Sequence, residues 1–373
     1  MATMKRQSGV ESRSLNRRSF MRGGLATGGA AVMGAGLLSS SKKAEAQGDR
    51  LTNGDAAILR FLAAAELIES DLWEQYAELG GLTPGQVPVE NNPNFMPMNT
   101  YQGSLMNLDG DGPQYISSNT LDEQSHAQFL NAYLESKGAE PVDLDKFRTL
   151  QGSKATGAKQ IGRLTNLTNL TVDTSWFTRY RSTTNPDFGA TFPQAVTIKN
   201  RSAIPLTNAD FNDPNHIQVI ANIAAFHFGT IEQGGTSLYA SMSQKVSSAE
   251  VLEITLGIGG DEIAHFLEWV DFAGNACQPT VAPVTDGDVT FPNLFATNNP
   301  ELQPNLIFPV PAQFISPKLP NCAVIRPITD QFAGPKAALA GLIASGLFMG
   351  QSNAFFTTLE ILADQAEAAQ RSF

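Results

Sequence analysis

Four segments of the chain carry apolar residues at the three- and four-residue spacing of an amphipathic helix. The pattern predicts helices over Asp55–Gly80, Asn119–Lys137, Asn215–Gln244 and Ser248–Gly274. Between the second and third helices, residues 139–214 are rich in Thr, Asn and Pro, and "AVTIKN" alternates like a short strand. We therefore expect an all-α fold: a four-helix bundle with a long irregular insertion between its two helical hairpins.

Beyond residue 275 the pattern changes. A proline-rich stretch reaches Pro335 and predicts irregular structure, and the last part of the chain, beginning "KAALAGLIASGLF", is helix-prone. The expected organisation is a bundle over 47–275, containing the insertion 139–214, and an extension over 276–373 that ends in a C-terminal helix.

The predicted inward faces of all four helices contain glutamate. A lone ionised carboxylate is very unfavourable in an apolar core, so it must be paired, protonated or bound to a metal. Four helices that each bury a glutamate can share this charge only around cations. The inward positions are Leu59, Leu62, Glu66, Glu69, Trp73 and Tyr76 in the first helix, Glu123, His126, Leu130 and Tyr133 in the second, Phe228, Glu232, Gly235, Tyr239 and Met242 in the third, and Thr255, Ile258, Glu262, His265, Trp269 and Phe272 in the fourth.

Two of the chain's four histidines complete the motif Glu-x-x-His, as "EQSH" and "EIAH". Bundles that hold two metal ions take one Glu from each of two helices and Glu-x-x-His from each of the other two. On the first helix, Glu69 is the alternative to Glu66 as the metal ligand. For every ligand position the alternative interpretation is a core side chain whose polar atoms are satisfied by protein neighbours. The predicted metal ligands are Glu66, Glu123, His126, Glu232, Glu262 and His265.

The two halves of the sequence repeat this order. Glu66 is followed seven positions later by Trp73, and Glu232 seven positions later by Tyr239, so each half reads Glu, aromatic residue, Glu-x-x-His. With "ILRFLAAAELIESDLWEQY", "LDEQSHAQFL", "HFGTIEQGGTSLY" and "GDEIAHFLEW", residues 52–275 resemble the ferritin-like superfamily, and within it the secreted desiccation-related and stress proteins. The resemblance implies a ferritin-like four-helix bundle, although the long insertion and tail argue against a hollow ferritin cage.

Carboxylate and imidazole ligands without thiolate suit iron or manganese. Two iron ions would support oxidase, ferroxidase or peroxidase chemistry with O₂ or peroxide, and a manganese pair would favour peroxide disproportionation as in manganese catalases. The alternative is a non-enzymatic desiccation or stress protein built on the same bundle. Substrate and oligomeric state are left open by the sequence.

Several other residues have simpler interpretations. Asp122 and Asp261 each precede a predicted ligand and are interpreted either as hydrogen-bond partners of a histidine or as surface charges. His216 and His227 lack an acidic residue at ligand spacing and are expected to be structural. The aromatic residues of the insertion are expected to form its core: Trp176, Phe177 and Tyr180.

The N-terminus predicts export. Arg17 and Arg18, the apolar run 23–38 and a small-residue "AEA" ending at Ala46 resemble a twin-arginine signal peptide over residues 1–46. The run is too short and glycine-rich for a membrane span. We expect recognition by the twin-arginine export machinery and a periplasmic or secreted protein. We expect no membrane span after signal removal.

Removing residues 1–46 takes away eight of the 25 basic residues and two of the 36 acidic ones, leaving 17 against 34 and a net charge of −17. Such a surface repels nucleic acid and anionic membranes, so neither is an expected partner. In an oxidising compartment Cys277 and Cys322 either form one disulfide or stay unpaired, and the sequence does not decide between these outcomes.

Overall fold

Four long helices dominate the computed structural model of the chain. The structure describes residues 50–82, 97–105, 108, 112–179, 193–271, 283–291, 309–310, 316, 318–320, 322–323 and 334–372, all within the unit Arg50–Phe373. This part of the chain is mostly helical, with seven α-helices and four two-stranded antiparallel sheets of short strands. The predicted all-α class is confirmed at this level.

The long helices are α1 (Asn53–Gly80) and α2 (Gly112–Ser136) in the first half of the chain. Helix α1 begins where Thr52 Oγ1 accepts a hydrogen bond from Asp55 N at 3.0 Å. Helix α2 begins seven residues before the predicted Asn119. Pro113 lies in its first turn, where no intrahelical N–H is needed.

After the insertion the chain forms a short helix α3 (Ser175–Arg179) and then the long helices α4 (Pro214–Ser243) and α5 (Ala249–Asp271). The Asp213 side chain caps α4 by accepting from Asn215 N and His216 N. Helix α1 packs mainly on α2, and α4 mainly on α5. The carboxylate of Asp55 joins the two pairs, because it accepts from Ser247 N and Ser248 N in the connection between α4 and α5.

The insertion folds onto the helices as short hairpins. Strand β1 (Leu150–Gln151) pairs with β2 (Gly162–Arg163), and β3 (Leu170–Val172) pairs with β4 (Ile198–Arg201). The strand predicted from "AVTIKN" is therefore confirmed at β4. Buried Asp71 of α1 accepts from Thr165 N at 2.9 Å, which fixes the insertion against the first helix.

Trp176 and Phe177 are buried, as predicted for the core of the insertion, while Tyr180 lies outside the described residues. The Trp176 ring packs 5.6 Å from that of Phe226 on α4 and 5.9 Å from that of Phe266 on α5. The core of the insertion is thus continuous with that of the long helices.

The C-terminal extension is more regular than predicted. Two hairpins, β5 (Val284–Asp286) with β6 (Val289–Phe291) and β7 (Pro309–Val310) with β8 (Cys322–Ala323), interrupt the proline-rich stretch. The expected single C-terminal helix is wrong, because the segment forms α6 (Pro335–Ala344) and α7 (Asn353–Glu367).

Two glycines explain the break between α6 and α7. Gly346 and Gly350 have φ angles of 85° and 94°, a left-handed conformation that stops a helix and that other residues adopt with strain. A Cβ on Gly346 would also lie 2.6 Å from the carbonyl oxygen of Asn169. Helix α7 packs on α1, so the extension covers the long helices.

Most residues that were predicted to point inward are buried. Every predicted inward residue of α1 and α4 is buried, as are those of α5 up to Trp269. Tyr133 on α2 is only half-buried, and Phe272 lies outside the described residues. Trp73, Phe228 and Trp269 stack across α1, α4 and α5 with ring centroids 4.5–5.6 Å apart.

No helix in the described part of the chain is long and apolar enough to cross a membrane. The predicted signal peptide and Cys277, one of the two cysteines whose pairing the sequence leaves open, lie outside the described residues.

Candidate metal centre

The structure brings all six predicted ligands together in the interior. Their exposed fractions run from 0% for the four carboxylates to 8% for His126. These six residues form two overlapping groups with metal-ligand spacing, each within 4.8 Å, that could hold a metal ion, and a third such group, Asp122, Asp261 and His265, lies beside them. The first group is Glu66, Glu123, His126 and Glu262, and the second is Glu123, Glu232 and His265.

The first group surrounds Nδ1 of His126. Glu123 Oε2 lies 3.3 Å from this nitrogen, Glu66 Oε2 3.4 Å and Glu262 Oε1 3.9 Å. One ring nitrogen carries at most one proton, and here it is shared with Glu123 Oε2. The other two carboxylates are therefore close to the imidazole without a hydrogen bond from it.

The second group surrounds Nδ1 of His265. Glu123 Oε1 lies 3.0 Å from it and Glu232 Oε2 3.2 Å. Glu123 therefore faces both histidines with its two oxygens and is the residue common to the two groups. The imidazole rings lie 6.5 Å apart, centroid to centroid.

Four carboxylate oxygens of the cluster are buried and accept no hydrogen bond from any described residue: Glu66 Oε2, Glu123 Oε1, Glu262 Oε1 and Glu262 Oε2. Buried polar atoms in proteins are normally satisfied, so a set of four within one cluster needs an explanation. Cations coordinated between them would satisfy all four. The donor set, carboxylate oxygen with imidazole nitrogen, fits such cations.

A glycine makes room for one of these carboxylates. A Cβ on Gly235 would lie 2.0 Å from Glu262 Oε2, a distance that no side chain can accept. The inward position of Gly235 among larger residues of α4 is thus explained, because the Glu262 carboxylate fills the space that a side chain would take.

Trp73 and Tyr239, the aromatic residues of the internal repeat, each form a hydrogen bond with the glutamate of the other half. Trp73 Nε1 donates to Glu232 Oε1 at 3.0 Å, and the Tyr239 hydroxyl donates to Glu66 Oε1. Each aromatic residue therefore holds the glutamate of the other half. This leaves the second oxygen of each glutamate directed at the cluster.

Asp122 and Asp261, which each precede a predicted glutamate ligand, likewise contact the histidine of the other Glu-x-x-His motif. Asp261 Oδ2 lies 3.2 Å from His126 Nε2, and Asp122 Oδ2 lies 3.4 Å from His265 Nε2. A carboxylate on the far ring nitrogen fixes the tautomer and orientation of a ligand histidine. Of the two interpretations for Asp122 and Asp261, the structure supports the hydrogen-bond partner, across the helix pair.

Electrostatics of the metal-free cluster reflects its excess of acid. Burial raises the pKa of Glu123 to about 8, the charge of Glu66 acts in the same direction, and the two histidines oppose it. Burial also raises the pKa of Glu262 well above its usual value, reinforced by the charges of Glu123 and Glu69. The metal-free core therefore takes up protons in place of cations.

The pKa values of the two histidines are raised as well, against the effect of burial. Burial alone would lower the pKa of His126, but Asp261 at Nε2 and the nearby carboxylates of Glu123 and Glu66 raise it to about 12. The pKa of His265 is raised well above its usual value, because the Glu232 charge and the Asp122 hydrogen bond outweigh burial. A bound metal must displace the proton from Nδ1, so metal binding should release protons.

Glu69 belongs to neither group, although the sequence left it in competition with Glu66. It is 8% exposed. Burial raises its pKa well above the usual value, and the charges of Glu123 and Glu66 add to this effect. The geometry therefore favours Glu66 as the ligand from α1.

The other two histidines lie away from the cluster, as predicted. His227 is buried, its Nδ1 lies 2.7 Å from the Tyr76 hydroxyl, and burial lowers its pKa to about 3. His216 Nδ1 lies 2.8 Å from Asp286 Oδ2, a structural contact to the C-terminal extension.

Asn119 is a residue of the site for which no role was predicted. It is fully buried, accepts from Trp269 Nε1 at 2.7 Å and donates to Glu268 Oε2 at 3.4 Å. Its position four residues before Glu123, on the same helix face, was the available signal. It supports the stacked tryptophans beside the centre.

Comparisons with protein-family models, curated proteins and solved structures found no match to this chain.

Proposed function

We propose that this protein is an exported, ferritin-like protein whose buried cluster binds two iron ions, with manganese as the alternative, for redox chemistry of O₂ or peroxide or for protection under stress. The observation that carries the proposal is the set of four buried carboxylate oxygens without hydrogen bonds, facing two histidine Nδ1 atoms. Cations coordinated between these oxygens and the two imidazoles would satisfy all four at once.

The ferritin-like bundle is part of the same proposal. It is supported by the two pairs of long helices, which each supply one single glutamate and one Glu-x-x-His motif. The crossed bonds from Trp73 and Tyr239 to the opposite glutamates further support a repeat of two related halves.

Each residue has a definite task in this proposal. Glu66, Glu262 and His126 hold one metal, Glu232 and His265 hold the other, and Glu123 reaches both. Asp261 and Asp122 keep the Nε2 proton of each histidine on the far side, so that Nδ1 is free to bind. When bound, a pair of iron or manganese ions supplies electrons to, or takes them from, O₂ or peroxide.

Elemental analysis of the exported protein, purified without added metal, tests the proposal. We expect about two iron or manganese ions per chain, the number that bundles with this ligand pattern hold. Protein that contains no metal, and takes up none when Fe(II) or Mn(II) is supplied, would contradict the site assignment.

The alternative is a non-enzymatic stress protein in which the metals only stabilise the bundle. One observation favours it: the four ligand carboxylates are 0% exposed, so access to the centre is limited. Oxygen consumption with Fe(II) and peroxide loss with each metal form separate the two functions. Turnover that is present in the wild type and absent in His265→Ala supports the enzyme, whereas two bound metals without turnover support the structural role.

The proposal of export rests on the twin-arginine signal pattern of residues 1–46. Replacing both Arg17 and Arg18 by Lys should leave the unprocessed chain in the cytoplasm, because the twin-arginine pathway reads this pair. Cell fractionation and the mass of the recovered chain measure the outcome, and cleavage is expected near Gln47. Normal delivery of the double variant would refute twin-arginine export.

A further inference from the structure

A large cavity adjoins the metal centre. It has a volume of about 630 Å³ and lies between α1, α4, the β3–β4 hairpin of the insertion and α6 of the C-terminal extension. Sites for small molecules typically measure about 300–1,000 Å³. The insertion and the extension thus enclose a space of ligand size on one side of the long helices.

The lining of this cavity is mainly apolar. Its walls include Ile68 and Leu72 from α1, Ile231 and Leu238 from α4, Val172 from β3 and Leu342 from α6. The one histidine that lines it, His227, is occupied by the Tyr76 hydroxyl. The charged residues of the lining are Glu69 and the exposed Asp173 and Lys199. Among the apolar side chains between them a charged group would lose its hydration without gaining a partner, so this part of the lining selects an uncharged apolar molecule.

Part of the lining is polar and exposed. Asp173, Gln194, Thr197 and Lys199 line the cavity and are exposed, so they form its outer rim. The combination of an apolar interior and a polar rim is the usual form of a small-molecule site.

Two lining residues connect this cavity to the metal centre. Glu69 lines it and is one helical turn from Glu66 on α1. Gly235 also lines it, and the missing side chain of Gly235 leaves its place to the Glu262 carboxylate. The cavity wall therefore includes a residue one helical turn from Glu66 and a residue that contacts the Glu262 carboxylate.

We propose that this cavity is a binding site for an uncharged, apolar organic molecule, held beside the centre across Glu69 and Gly235. Its role as the substrate site rests on the proposed redox function, whereas binding of the molecule does not. The site also assigns a task to the insertion and the extension, which form two of its walls.

Glycines in the walls allow a direct test. Gly234 on α4 and Gly341 on α6 line the cavity, and an added Cβ meets no atom within 4 Å at either position. Gly257 on α5 has equally open surroundings but does not line the cavity. All three glycines are exposed. Gly234→Leu and Gly341→Leu should therefore fill the outer part of the cavity from two sides, and Gly257→Leu is the matched control.

The probe is N-phenyl-1-naphthylamine, an uncharged apolar fluorophore, titrated into the full mature protein, with 1-decanol as the competitor. We expect saturable binding that 1-decanol displaces. Binding should weaken about tenfold or more in both filling variants, since a few methylene groups suffice for that in an apolar pocket. Gly257→Leu should bind like the wild type, and all three variants should keep their metal.

The outcomes separate this proposal from the proposed function. Wild-type protein that holds two metals but binds no fluorophore, or filling variants that bind it as well as Gly257→Leu does, would overturn the cavity site and leave the metal centre standing. Saturable binding lost in the filling variants of a protein that holds no metal would support the cavity and refute the metal centre.

Discussion

Glu123→Ala should empty both metal positions, while Glu66→Ala and Glu232→Ala should each keep about one of the two ions that the bundle pattern provides. Glu123 is the residue common to both ligand groups, whereas Glu66 and Glu232 belong to one group each. Elemental analysis of each purified variant, at matched protein concentration and with folding checked by circular dichroism, measures the effect. This is the largest functional loss that a single substitution in the centre should produce.

Glu69→Gln is the matched control for these variants. Glu69 is a buried carboxylate on the same helix as Glu66, but it belongs to neither ligand group. We expect Glu69→Gln to keep about two ions, as the bundle pattern requires. Loss of metal in Glu69→Gln together with its retention in Glu66→Ala would reverse the assignment of the α1 ligand. Equal occupancy in the Glu66, Glu123 and Glu232 variants would refute the two overlapping groups.

The helical period was enough to predict which residues point inward. It places Glu66, Glu123, Glu232 and Glu262 on buried faces because positions three and four apart share one side of a helix. The structure shows all four carboxylates fully buried. The close approach of the six residues could be expected from charge alone, since isolated buried carboxylates are so unfavourable.

The partners within the cluster could not be predicted in the same way. Trp73 bonds Glu232 and Tyr239 bonds Glu66, and each aspartate meets the histidine of the other motif. These pairings depend on how four helices are rotated and shifted against one another. The spacing of apolar residues along one helix carries no information about that arrangement.

The cavity depends on still more distant contacts. Its walls come from α1, β3, β4, α4 and α6, and the lining runs from Ala65 in α1 to Ala344 at the end of α6. The break between α6 and α7 was missed because glycine is compatible with a helix in a local pattern, and only the left-handed φ angles at Gly346 and Gly350 reveal the stop. The position of α6 in the cavity wall follows from that break.

Removing the metals should reverse the way in which stability depends on pH. In the metal-free protein the pKa of Glu123 is raised from 4.5 to about 8, and that of His126 from 6.5 to about 12. Glu262 and Glu69 shift in the same direction. Between the ordinary and the raised values the folded state therefore binds protons that the unfolded chain does not. The free energy of unfolding must then fall as pH rises through this interval, by about 1.4 kcal/mol per pH unit for each extra proton.

The metal-free protein should accordingly be more stable at about pH 6 than at about pH 8, whereas the loaded protein should lose metal, and the stability it confers, as protons compete for Nδ1 and the carboxylates. The pKa of Asp261 is lowered from 3.8, so this group acts only in more acidic solution. His227, whose pKa is lowered from 6.5 to about 3, opposes the trend near pH 6, but with one proton against those of Glu123, Glu262, Glu69 and His126. Urea unfolding of both forms across this interval measures the two slopes, and Glu123→Gln should flatten the metal-free curve because it removes one of the extra protons. A metal-free protein that loses stability on acidification from about pH 8 to about pH 6 would show that the clustered carboxylates are not crowded and unneutralised in the folded chain, and the case for cations between them would fail with that result.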